Sequence, residues 1–84
     1  MAASTKPLAI SLYNMKTGEK GIVAYFKTKD EAIIKKLMAM GVIPGLPIAL
    51  EQRFPSFIIK VGRTRAALDQ NIAKAIYVRL TASK

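Results

Sequence analysis

The sequence predicts a mainly β fold, a small partly open β-barrel of about five strands with one α-helix at about residues 29–40 and short helical turns. Three observations lead there. Short runs rich in Val, Ile, Phe and Tyr recur along the chain, each bounded by Gly, Pro, Asn or Asp. The segment from Lys29 to Met40 instead carries its apolar residues at helical spacing. With only 84 residues, rolling the sheet into a barrel is the simplest way to satisfy strand edges internally.

Taken in order, Met1 to Pro7 are small, polar or Pro and are expected to be disordered, leaving residues 8–84 as a single domain. Ser11 precedes Leu12-Tyr13-Asn14-Met15 and can cap one helical turn, with Leu12 and Met15 pointing inward. Lys16-Thr17-Gly18-Glu19 is a turn into a strand from Gly21 to Lys27. Thr28 and Glu31 have the spacing of a capping box, and Asp30 and Glu31 sit where the helix dipole favours negative charge. In the helix, Ile33, Ile34, Leu37, Met38 and Met40 oppose Lys35 and Lys36.

Gly41 then stops the helix with a left-handed residue, Pro44 prevents it from resuming, and Gly45 supplies a turn. Leu46 to Arg53 alternates as a strand, Arg53-Phe54-Pro55-Ser56 breaks it, and Phe57 to Val61 is another. Gly62-Arg63-Thr64 is a hairpin connection into Arg65-Ala66-Ala67-Leu68. Asp69 caps a helical turn through Asn71-Ile72-Ala73, and Ala75 to Leu80 is a final strand with Ile76, Val78 and Leu80 on one face. These elements assemble as an SH3-like barrel without internal repeat, low-complexity segment or linker.

Composition narrows the function. Cysteine and histidine are both absent, which excludes disulfides, Cys or His zinc sites, iron-sulfur clusters and the usual nucleophile-base pairs. The acids are Glu19, Asp30, Glu31, Glu51 and Asp69, with no metal-loop spacing among them. No catalytic, cofactor-binding or metal-binding residue is expected, and the chain is not expected to be an enzyme. No segment approaches the roughly 18 apolar residues of a membrane span, and the N-terminus lacks a signal-peptide core, so a cytoplasmic location is expected.

Charge is the positive clue. Fourteen Lys and Arg face five acids, a net +9 that internal pairing cannot absorb and that draws the chain toward phosphates, anionic lipid or an acidic protein surface, without saying which. The candidate face comprises Lys35 and Lys36 on the helix with Arg53, Lys60, Arg63 and Arg65 on strands and hairpins. Glu51 has the spacing to pair with Arg53 along one strand face. Phe54 and Phe57 could protrude beside these cations, but the expected role is to plug an open barrel end. Leu37, Met38 and Met40 are expected in the core rather than on a docking surface.

The order Leu37-Met38-Ala39-Met40-Gly41-Val42-Ile43-Pro44-Gly45 resembles the Leu-x-x-Met-Gly-hydrophobic-x-Pro-Gly signature of the FeoA family of ferrous-iron transport accessory proteins. Gly18-Glu19-Lys20-Gly21-Ile22 is similar to that family's opening. Val61-Gly62, Ala67-Leu68, Ala73, Ile76 and Val78 are similar to its close. Asp69 and the tight loop Arg53-Phe54-Pro55-Ser56-Phe57 depart from the pattern. The resemblance implies a non-catalytic adaptor of the membrane Fe(II) transporter FeoB, docking on its cytoplasmic GTP-binding part. The rival reading is a basic small barrel that binds nucleic acid, which the charge suits but the few, uninterleaved aromatics do not. Anionic lipid ranks third, for want of a basic amphipathic helix.

Overall fold

Residues 9–81 are described by a computed structural model. Their elements in chain order are β1 (Ala9–Ser11), a 3-10 turn (Leu12–Asn14), β2 (Lys20–Phe26), α1 (Glu31–Ala39) and β3 (Pro47–Gln52). There follow β4 (Phe57–Val61), β5 (Thr64–Leu68), α2 (Gln70–Ala75) and β6 (Ile76–Leu80). The strands form one antiparallel sheet in the order β1-β6-β2-β3-β4-β5. Among the described residues β1 and β5 are its two edges. The expected disorder of Met1 to Pro7 lies outside these residues.

Alternation decides which side of each strand is buried. Val23, Ile48, Leu50, Phe57, Ile59, Ile76 and Val78 point to one side, where Leu12, Met15, Leu37, Val42 and Ile72 close the core. Each such side chain contributes about 1.5–3 kcal/mol on burial. Register shifts at Val23/Tyr25 and Leu50/Gln52 bend β2 and β3 and let the sheet curl. Gly21 lets β2 and β6 approach: a Cβ there would lie 2.6 Å from the Arg79 carbonyl oxygen and 2.5 Å from Val78 Cγ1.

The 3-10 turn forms as its sequence predicts. The Ser11 hydroxyl accepts from Tyr13 N–H and donates to the Lys74 carbonyl, so one buried side chain caps the turn and ties it to α2. Asp69 likewise caps α2, accepting from Ile72 N–H at 2.9 Å. At the end of α1, Gly41 N–H donates to the Met38 carbonyl and Val42 N–H to the Leu37 carbonyl. With Gly41 at φ +91°, this is a Schellman closure, sealed by the burial of Leu37 and Val42.

Several expectations are corrected. Six strands form, because Ala9–Ser11 pairs with Tyr77–Arg79 to add β1. The helix expected at about residues 29–40 does form, over Glu31–Ala39. The capping box between Thr28 and Glu31 does not form. Asp30 is the cap, accepting from Ala32 N–H, and Thr28 accepts from Asp30 N–H. Met38 is 46 % exposed and outside the core, while Leu37 is buried and Met40 is packed against it. Phe57 is buried but Phe54 is 85 % exposed, so only one of the two plugs the barrel. Glu51 pairs with Arg65 rather than with Arg53.

Candidate docking face

The few acids are largely committed to the chain itself. Glu19 accepts from Lys16 N–H, Asp30 from Ala32 N–H and Asp69 from Ile72 N–H. Glu51 accepts from Arg65 Nε at 2.7 Å, the ion pair found among the described residues. That hydrogen bond, and then the carboxylate's charge, raise the Arg65 guanidinium above its ordinary value. Glu31 stands in the first turn of α1. The other described cations have no carboxylate partner within ion-pair distance among the described residues.

Register assembles part of this surplus. On the side of the sheet away from the core, Lys20 stands opposite Ala49, Ala49 opposite Lys60, and Lys60 opposite Arg65. A neighbouring row runs from Arg79 to Ile22 to Pro47. Arg63 occupies the two-residue turn between β4 and β5. Like charges directly opposite each other, such as Lys60 and Arg65, oppose pairing, and Glu51 offsets this one. The face combines exposed cations with a small apolar floor, an arrangement suited to non-covalent recognition of an anionic surface.

The remaining predicted residues separate into two groups. Arg53 stays exposed but is tied to the fold: Nη1 donates to the carbonyls of Tyr13, at 2.8 Å, and of Met15. Its guanidinium carbon lies 5.3 Å from the Phe57 ring centre and 5.8 Å from that of Tyr13, with Lys74 Nζ also 5.0 Å from Tyr13. Phe54 is exposed, and a hollow of about 410 Å³ is lined by residues 55–57 and 67–70. Lys35 and Lys36 are exposed on α1.

Thus Lys60, Arg63 and Arg65 come together, Arg53 and Phe57 serve the fold, and Lys35 and Lys36 belong to a separate element. Lys20 and Arg79 were not among the expected site residues, although strand alternation already turned both away from the core. A sequence signal existed for their facing but not for their meeting. Among the described residues no group of three or more His, Cys, Asp or Glu could hold a metal ion.

Comparison with known proteins fixes the family. The FeoA domain profile matches residues 10–80, most of the chain. The chain belongs to the FeoA domain family. A putative Fe(2+) transport protein A from Leptolyngbya boryana is 35 % identical over 72 residues, spanning 84 % of this chain and 88 % of that protein. A crystal structure of an iron uptake regulatory protein (FeoA) superposes with a TM-score of 0.79 at 31 % identity, covering 88 % of this chain and 99 % of the other. The zinc-complexed Stenotrophomonas maltophilia FeoA, described as a procaryotic SH3 domain protein, superposes at 0.70 with 22 % identity, covering 84 % and 88 %. The fold is therefore SH3-like, and this FeoA domain stands among ferrous-iron transport accessory proteins. No helix among its described residues is long and apolar enough to cross a membrane.

Proposed function

We propose that the chain is a non-catalytic cytoplasmic accessory protein of ferrous-iron uptake that docks on the cytoplasmic GTP-binding part of FeoB and supports or regulates transport. The observation that carries this reading is the basic face of a FeoA domain: Lys20, Lys60, Arg63 and Arg79 have no carboxylate partner among the described residues. Such a face accelerates encounter with an acidic protein and fixes orientation more than it adds affinity. Co-purification with the cytoplasmic part of FeoB tests it, repeated after Lys60, Arg63 and Arg65 are reversed to Glu and, separately, after Lys35 and Lys36 are reversed. Loss of capture in the first variant with its fold intact supports docking through the sheet face.

Nucleic-acid binding has one observation in its favour. Tyr25 and Tyr77 stack at 5.1 Å with 6° between their planes, and Lys27 Nζ lies 5.7 Å from the Tyr77 ring. Because the rings cover each other, each offers a base one face at most. Oligonucleotide capture at physiological ionic strength without FeoB capture would put this reading first.

A further inference from the structure

We infer that the outer sheet face contains a specific peptide-binding groove, whose ligand is an acidic extended segment carrying one apolar side chain between two carboxylates. This rests on the docking role proposed above and names the chemistry of what docks. The groove is an open depression of about 250 Å³, bordered by the apolar residues Ile22, Pro47 and Ala49 and by Lys20 and Lys60. Thr81 closes one end, its N–H donating to the Lys20 carbonyl and so fixing the backbone there.

The floor and the rim ask for different groups. Ile22 and Ala49 are half-buried and turned away from the core, leaving apolar surface that gains from contact with an aliphatic or aromatic side chain. The hollow is below the roughly 300–1,000 Å³ of small-molecule sites, a size fitted to a single side chain. Lys20 and Lys60 are separated by β3, two interstrand steps or about 9.5 Å of backbone, and their long side chains are flexible. Same-face residues at i and i+4 of an extended peptide lie about 13 Å apart, so two carboxylates at those positions reach both ammonium groups while residue i+2 enters the floor.

Charge complementarity selects this occupant. Neither lysine has an acidic partner among the described residues. Among the residues lining the groove there is no aromatic ring on which a base could stack, and a sugar-phosphate backbone offers nothing to an aliphatic floor. A peptide that alternates the two chemistries satisfies both.

The test uses the full chain, isotope-labelled for NMR, titrated with a blocked peptide Ser-Glu-Ser-Leu-Ser-Glu-Ser. The expected result is amide shifts confined to Lys20–Ile22, Pro47-adjacent Ile48 and Ala49, and Lys60. Affinity falls about tenfold when Leu is replaced by Ser and about tenfold again in Lys60→Glu. Ala49→Glu, on the outer face, removes binding while the spectrum keeps its dispersion. Ile22→Ala weakens it without adding charge, which guards against a misfolded Ala49→Glu. Shifts at Arg53 or Phe54 instead, equal affinity for the Leu-free peptide, or stronger binding of a single-stranded oligonucleotide at the same residues would overturn the inference. FeoB capture that survives Ala49→Glu would refute the groove and leave docking standing. Peptide binding without FeoB capture would do the reverse.

Discussion

Arg53 Nη1 donates to the Tyr13 carbonyl oxygen at 2.8 Å across forty residues of sequence, joining the end of β3 to the 3-10 turn. The same guanidinium also serves the Met15 carbonyl and lies over the Phe57 ring. An exposed cation expected at a partner interface is also a clamp within the fold.

Arg53→Ala should therefore lower stability by about 1.5–3 kcal/mol, the range for hydrogen bonds to a charged group, with two carbonyls losing their donor. Arg53→Lys should recover only part of this, because an ammonium lacks the planar fork that lies on the rings. Urea midpoints of the two variants against the parent chain check both statements. Equal midpoints for Arg53→Ala and the parent would remove the clamp from the account.

Gly21→Ala should be among the most damaging single changes, at about 3 kcal/mol, since overpacking is relieved only by moving backbone. Gly41→Ala meets open space and is strained only by its left-handed φ, so about 1–2 kcal/mol is expected. The ranking of the two in thermal unfolding separates close packing from backbone conformation.

Ser11→Ala removes both the cap of the 3-10 turn and the donor to the Lys74 carbonyl. A loss of about 1–3 kcal/mol is expected, with faster amide exchange at Tyr13 than in the parent. Unchanged exchange at Tyr13 would mean that Ser11 does not hold the turn.

These outcomes show what was legible in the sequence. The stop at Gly41, the cap at Asp69 and the strands from Phe57 onward rest on local chemistry, which a sequence states directly. β1 was not legible because three residues carry no period, and they become a strand only by pairing with β6 at the far end of the chain. Thr28 and Asp30 are both good caps near one helix start, and only the geometry chose Asp30. Phe54 and Phe57 are equally apolar in sequence; β4 turns Phe57 inward and leaves Phe54 in the loop before it. For the docking face, the excess charge was legible but its assembly was not. Lys20, Lys60 and Arg79 lie on three strands, and antiparallel register alone brings them to one surface.

Salt should act on docking more than on folding. One ion pair among the described residues supports the fold, and an exposed pair contributes little, about 0–1 kcal/mol. Raising ionic strength from about 0.05 to 0.5 M should raise the unfolding midpoint slightly, by screening the repulsion of a +9 chain, while weakening partner binding severalfold. A midpoint that follows binding would indicate that the basic face is part of the folding energetics instead.

The most direct test of the account is calorimetric titration of the cytoplasmic part of FeoB with the parent chain and with a variant carrying Lys20→Glu, Lys60→Glu and Arg63→Glu, all exposed on the sheet and its hairpin. The parent should bind in a salt-sensitive way, and the folded variant at least tenfold more weakly. Equal affinity of the two proteins would contradict it.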